Sequence, residues 1–120
     1  MQNRLLLNSH DEVFIIDLYQ VLYMQADDHY AHVYYASGAH FLVPYGLSRI
    51  ESFIAESGIA AGLMQRMGRK YIVNSSRIFR VNTIKEQLFL SDDHGENVML
   101  HIPKAVLREW IDALAATPAP

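Results

Sequence analysis

The feature that most constrains this chain is a rhythm. Short runs dense in aromatic and β-branched residues are broken about every eight to twelve residues by Gly, Asn, Asp or Ser, which is the pattern of short antiparallel strands joined by tight turns. Ten strands are predicted on this basis: Leu5–Leu7, Glu12–Ile16, Val21–Gln25, Tyr30–Ala36, His40–Val43, Gln65–Met67, Lys70–Val73, Ile78–Val81, Gln87–Ser91 and Asn97–His101. In the fourth run Tyr30, His32 and Tyr34 alternate with Ala31, Val33 and Tyr35, so neither face is plainly polar, and a central strand is expected. Ala36-Ser37-Gly38-Ala39 and Asp92-Asp93-His94-Gly95 interrupt β-rich runs with turn residues and mark two hairpins.

Two stretches leave the period of two. Ser48-Arg49-Ile50-Glu51 has the spacing of a capping box, and Leu47, Ile50, Phe53 and Ile54 share one helical face until Gly58 ends the turn. A second helix is predicted with Pro103 at its first position and an apolar stripe of Val106, Leu107, Trp110, Ile111 and Leu114. Residues 116–120, Ala-Thr-Pro-Ala-Pro, are expected to fray beyond it. The chain is thus mainly β, with a short mid-chain helix and a C-terminal helix.

At 120 residues, 51% of them hydrophobic, the chain has the size and composition of one globular domain spanning 1–120, with its core at about 5–114. No repeat, low-complexity tract or linker divides it. The absence of cysteine excludes disulfides, thiolate chemistry and Cys-based metal sites. The longest apolar runs, Val13–Ile16 and Ile59–Met64, fall far short of the roughly 18 residues of a membrane span. Residues 1–8 carry no hydrophobic export core and no small-residue cleavage site, so a cytoplasmic setting is expected, without a membrane partner.

Charge is unevenly spread. The net charge is −3, yet Arg66, Arg69, Lys70, Arg77 and Arg80 are half of the 10 basic residues, and no acidic residue lies between Ser57 and Lys85. Interleaved Tyr71, Ile72, Val73 and Ile78 would anchor this segment in a sheet while the cations project outward toward phosphate; the plainer alternative is a solvated basic face balancing acidic loops. Catalytic readings are weaker. Ser75 and Ser76 have no base placed beside them by sequence, and no glycine-rich phosphate loop is present. Asp27, Asp28, His29 and His32 have ligand chemistry, but His29 and His32 fall on opposite faces of a strand and do not converge on one ion. Tyr30, Tyr34 and Tyr35 read as packed strand residues before a stacking platform. No enzyme activity, metal or cofactor is implied.

Asp17-Leu18-Tyr19-Gln20-Val21-Leu22-Tyr23-Met24-Gln25-Ala26, then His29-Tyr30, the Leu47–Ile54 helix, and Arg66-Met67-Gly68-Arg69-Lys70-Tyr71-Ile72-Val73-Asn74 followed by Arg77-Ile78 resemble, in order and spacing, the LytTR family of bacterial DNA-binding domains. The resemblance runs from about Leu5 to Leu114. It implies an elongated stack of small antiparallel sheets with about ten strands, and a transcription regulator whose loops enter successive major grooves of double-stranded DNA at paired promoter repeats. By position it implies base contacts from His29, Arg69 and Lys104. Arg69 could fork to guanine, and Arg66, Lys70, Arg77 and Arg108 would hold phosphates. Lys104 and Arg108 lie four residues apart at the start of the last helix, where an anion is favoured. A sensor or receiver protein and a second copy on paired sites are the implied protein partners. Three positions depart from the family pattern: Gly68 stands for its His, Lys70 for its Ser, and Pro103-Lys104 for its Ser-Arg. The alternative left open by those departures and the acidic net charge is a LytTR-like domain that has become a protein-interaction module.

Overall fold

The computed structural model describes residues 3–59 and 61–115, so the tail expected to fray lies outside the described residues. All ten predicted strands are present: β1 Arg4–Asn8, β2 Val13–Asp17, β3 Val21–Asp27, β4 Tyr30–Tyr35, β5 His40–Val43, β6 Met64–Met67, β7 Tyr71–Asn74, β8 Ile78–Asn82, β9 Gln87–Ser91 and β10 Asn97–His101. Helix α1 spans Leu47–Ser57 and α2 spans Lys104–Ala115. The strands form three antiparallel sheets: a β1–β2 pair, a five-stranded sheet in the order β5-β4-β3-β7-β6, and a three-stranded sheet in the order β10-β9-β8. The molecule is elongated, 45 × 27 × 27 Å.

Alternation along the strands explains the stack. In β7 the consecutive residues Ile72 and Val73 point to opposite faces of the five-stranded sheet, and each is buried in a different core. On one side Ile72, Met24, Val33 and Val43 pack with Leu5, Leu7 and Ile16 of the β1–β2 pair and with Leu47 and Ile50 of α1. On the other, Val73 and Met67 pack with Leu88, Leu90 and Leu100 of the three-stranded sheet and Leu107 of α2. The middle sheet is therefore covered on both sides, and its strands carry the near-continuous apolar runs read from the sequence. β4 lies inside this sheet, paired on both edges, although Tyr30 at its start remains exposed. Tyr34 stacks between Tyr23, at 4.5 Å between ring centroids, and His40, at 4.3 Å.

The chain crosses between sheets twice, and the two crossings share one local device. Asp17, at the end of β2, accepts a bond from Tyr19 N at 3.2 Å and caps a single 3-10 turn, Leu18–Gln20, that delivers the chain into β3. Asn74, at the end of β7, does the same for Ser76 N at 3.0 Å, and the 3-10 turn Ser75–Arg77 delivers the chain into β8. Short polar side chains of this kind bond their own backbone two residues on, ending a strand without leaving a donor orphaned. Asn74 does more, since its Nδ2 donates to Val21 O at 2.8 Å and it is 1% exposed.

Two helix-start expectations are corrected. The Ser48–Glu51 capping box does not form: α1 begins after Gly46, which makes no side-chain cap bond, and the Glu51 carboxylate instead accepts from Arg66 Nη1 at 3.1 Å. A long-range ion pair to a partly buried guanidinium displaces the local cap. Pro103 stands one position outside α2, where its carbonyl accepts from Leu107 N at 3.1 Å and opens the helical ladder. At the far end of α1, Gly58 closes the helix in the left-handed region at φ 67°, as expected.

Replacing Asn74 by Ala should remove the side-chain donor from the buried Val21 carbonyl, at a cost of about 1–3 kcal/mol, while the amide of the exposed Ser76 passes to water. Denaturant titration of Asn74→Ala and Asn74→Asp should show both destabilised and Asp the more so at neutral pH, since its buried carboxylate keeps the acceptor to Ser76 but meets the Val21 carbonyl acceptor to acceptor. A second outcome concerns His94, whose Nε2 donates to Ser37 O at 2.8 Å and joins the β9–β10 turn to the β4–β5 turn. That bond, aided by Asp92, Asp93 and Glu96, raises its pKa above the usual 6.5. A raised folded value means stabilisation that is complete below the unfolded pKa and is lost as pH rises through the folded one. Imidazole titration by NMR should therefore give a His94 midpoint above that of the Ser37-free His94 in the unfolded chain.

Candidate nucleic-acid interface

Strand direction brings three connections to one end of the middle sheet. β3 finishes at Asp27 opposite Tyr30, β7 begins at Tyr71 opposite Gln25, and β5 finishes at Val43 opposite Ala31. The β3–β4 turn, the β6–β7 turn and the β5–α1 connection are consequently neighbours, and Ala26 N bonds Lys70 O at 2.8 Å across the first two. Each predicted cation that lies on these turns is thereby drawn from distant sequence into one region.

His29 occupies the two-residue turn between β3 and β4. Asp28 before it sits in the left-handed region at φ 56°, a conformation Asp tolerates better than most residues, and this turn throws the imidazole into solvent. His29 is nearly fully exposed, with Asp28 Oδ1 3.7 Å from its Nε2. The described residues contain no group of three or more His, Asp or Glu arranged to hold an ion. His32 is engaged elsewhere, with Nε2 2.9 Å from Asp27 Oδ2 and Nδ1 2.9 Å from His40 Nε2.

The β6–β7 turn, Gly68-Arg69-Lys70, is shaped by Arg66. That guanidinium donates through Nε to Gly68 O at 2.8 Å, through Nη2 to Arg69 O at 3.3 Å, and through Nη1 to Glu51 Oε1 at 3.1 Å. Only 23% of its side chain is exposed. Arg66 thus has each of its nitrogens occupied, and the arrangement fastens the turn to α1 and presents Arg69 and Lys70, both exposed, outward. Gly68 needs its φ of 73°, and a Cβ there would lie 3.6 Å from Val106 Cγ2 of α2.

Around these turns lies an open cavity of about 540 Å³, lined by His29, Arg66 and Arg69 together with Pro44, Gly46 and Arg49. Arg49 is the site residue that sequence reading overlooked. It stands in the first turn of α1, with its guanidinium carbon 5.2 Å from the Phe53 ring centroid and 6.0 Å from that of Tyr45. A cation at a helix N-terminus is unfavourable for the helix itself. That anomaly was a usable signal: with Gly46 offering no side-chain cap, Arg49 and the uncapped amides together create a positive rim suited to an anion.

The start of α2 borders the same turn, since a neighbouring cavity is lined by Gly68, Arg69, Lys70 and Tyr71 on one side and by His101, Pro103 and Val106 on the other. Lys104 and Arg108 are exposed on α2. The N-terminus of α2 is, however, already supplied with an anion: Lys104 N donates to Glu86 Oε2 at 2.7 Å. One of the amides expected to favour a phosphate there is thus bonded to a carboxylate of the same chain.

The basic block does not form one surface. Arg77 lies past the opposite end of β7, where its Nη1 bonds Asp93 Oδ1 at 2.7 Å and pins the β9–β10 turn. Arg80 lies on β8 over the Phe89 ring, at 4.8 Å. What converges instead is His29, Arg49, Arg66 and Arg69 at one cavity, with Lys70 and the start of α2 beside it.

The model of the LytTr DNA-binding domain family matches residues 11–105. Among solved structures, a LytTr DNA-binding domain from Bacillus cereus superposes with a TM-score of 0.63 at 20% identity, covering 95% of this chain and 98% of that one. A comparison with curated proteins finds no match. No helix among the described residues is long and apolar enough to cross a membrane. The match over most of the chain, together with the ten strands and the turn that carries Arg69, establishes that the chain belongs to the LytTr DNA-binding domain family.

Proposed function

We propose that this domain is the DNA-reading part of a transcription regulator in the cytoplasm and that it binds duplex promoter DNA without catalysis, placing turns in successive major grooves. The observation that carries this reading is the convergence of His29, Arg49 and Arg69 from three separate connections around one open cavity. Strands are consumed by the two cores, so turns are the parts free to enter a groove. Arg69 is the base reader best suited to guanine O6 and N7; His29 reads a second base edge, as donor or acceptor according to tautomer; Lys104 contributes a third contact as a point charge. Lys70, Arg49 and Arg108 hold phosphates and set register. Arg66 and Arg77 serve by bracing the turns they bond. Two copies would fill paired sites, and a sensor or receiver protein would supply the input.

Salt-dependent binding to labelled duplexes tests the reading. Affinity should fall steeply with ionic strength, as phosphate-held complexes do. Arg69→Ala should relax sequence preference by about 1–3 kcal/mol at one position, whereas Lys70→Ala should weaken all duplexes alike and lower the salt slope by about one. A domain showing no salt-sensitive duplex binding at low ionic strength is an interaction module instead. The brace makes a separate expectation. Arg66→Ala should cost both stability, by about 1–3 kcal/mol for the carboxylate and carbonyls it abandons, and discrimination between duplexes. Arg66→Lys should restore neither, because an ammonium cannot span Gly68, Arg69 and Glu51 at once. Full recovery in the Lys variant, measured by denaturation and by binding, contradicts the bracing role.

A further inference from the structure

Among the described residues, Asp28 at 56° and Glu86 at 55° are the only non-glycine residues with a positive φ, and both are acids. A side chain in the left-handed region costs free energy, less for Asp than for most residues, and such positions concentrate at functional sites. For Glu86 the fold offsets that cost. Its carbonyl accepts from Ile102 N at 3.1 Å, its Oε2 accepts from Lys104 N at 2.7 Å at the start of α2, and its Oε1 lies 3.8 Å from His101 Nε2. Asp28 has no comparable role. Its carboxylate accepts no hydrogen bond from the described residues, its side chain is 82% exposed, and its one ion-pair partner among them is His29, itself exposed, at 3.7 Å. Glycine would serve this turn without the cost, as Gly68 does in the neighbouring one.

The surroundings give this carboxylate a use. The β3–β4 turn lies against the β5–α1 connection, where a Cβ on Gly46 would come 3.9 Å from Asp28 O. Asp28 thereby lines the same cavity as Arg49, Arg66 and Arg69, as its one acidic lining residue. In a seat for phosphate alone a carboxylate is a defect, because it repels every phosphate alike. What a carboxylate favours is a donor. On the major-groove edge of duplex DNA the donors are the amines of cytosine, N4, and adenine, N6; adenine sets the acceptor N7 beside its amine, and a carboxylate has no proton to offer it. Cytosine is the better fit. We propose that Asp28 is a specificity-determining residue that accepts the N4 amine of a cytosine, while Arg69 reads guanine from the neighbouring turn. The inference rests on the DNA reading above and adds to it an acidic reader among cations. The same charge keeps the tip of the turn off the sugar–phosphate backbone, so the turn is held where its side chains meet base edges.

Selection of bound sequences from a random duplex library, run with wild type, Asp28→Asn and Asp28→Gly, tests the assignment. Both replacements accept the left-handed backbone, so neither should melt well below wild type. Wild type should enrich cytosine at one position. Asp28→Gly should lose that preference, by about fivefold or more, and should keep the guanine preference that Arg69→Ala removes. Asp28→Asn should turn the same position toward adenine, since an amide matches N6 and N7 together. Both variants should hold random duplexes more tightly than wild type at low salt, a charge that opposes phosphate having gone. Identical enrichment by wild type and Asp28→Gly overturns the proposal and leaves the DNA reading standing. So does a large fall in melting temperature in both variants, which would give the carboxylate a structural part. A wild type that binds no duplex at low ionic strength ends both readings together.

Discussion

Everything in this domain depends on the five-stranded sheet being covered on both faces by different partners. Ile72 and Val73, one residue apart, belong to separate cores. A register slip of one residue in β7 would exchange them and send Tyr71 and Asn74 to the wrong sides, so the alternation of this one strand ties the two cores to a single pairing. Asn74 makes that pairing definite. As the only polar residue among the described buried ones, it bonds Val21 on one neighbouring strand and the 3-10 turn that leads into the next sheet. The Tyr-Ile-Val-Asn stretch is therefore a joint between layers, and its specificity as a motif follows from three consecutive residues serving two cores and a crossing.

The same constraint decides where a ligand can be met. Strand side chains on the middle sheet face one core or the other, apart from the partly open edge around His32, Tyr34 and His40. At the middle sheet the exposed cations Arg69 and Lys70 stand at a strand end, and three connections share that end. Holding a cation there is costly without a brace, because turns are the least constrained parts of a fold. Arg66 supplies the brace. Its planar fork meets two turn carbonyls and the Glu51 carboxylate together, and this rigidity lets Arg69 project without itself being bound.

The strands were legible because each is short, apolar and punctuated, so local pattern and tertiary role agree; the five at β5, β9, β10 and the starts of β3 and β4 fall where the alternation places them. The site was legible only in part. His29 and Arg69 stand on turns whose residues announce themselves, and Asp28 and Gly68 take the positive φ that such turns require. The charge of Arg66 is visible in the sequence, whereas its pairing is not, because Glu51 is 15 residues away and has the spacing of a local cap. The pairing of Arg77 is hidden in the same way, since Asp93 is 16 residues distant. Charge counts along a chain treat every cation as available, and pairing across sheets removes some of them. Arg49 was hidden by the opposite error: an isolated Arg in a helix looks like a solubilising residue until its helix end is seen to lack a cap.

The net charge of −3 bears on a nucleic-acid partner only through where the charges stand. Arg66 and Arg77 are each paired with a carboxylate, which leaves the overall surplus of acid unchanged, while Arg49 and Arg69 line the cavity with Asp28 as its one acidic lining residue. A small positive region on an acidic molecule gives weak long-range attraction and puts the burden of selectivity on the few groups that reach the bases. Gly68 sharpens this further. With no side chain where the family carries His, the turn offers Arg69 and Lys70 alone, and the 3.6 Å clearance between a Cβ and Val106 leaves α2 close against it. The exposed cations of this turn, Arg69 and Lys70, therefore stand directly beside the start of α2.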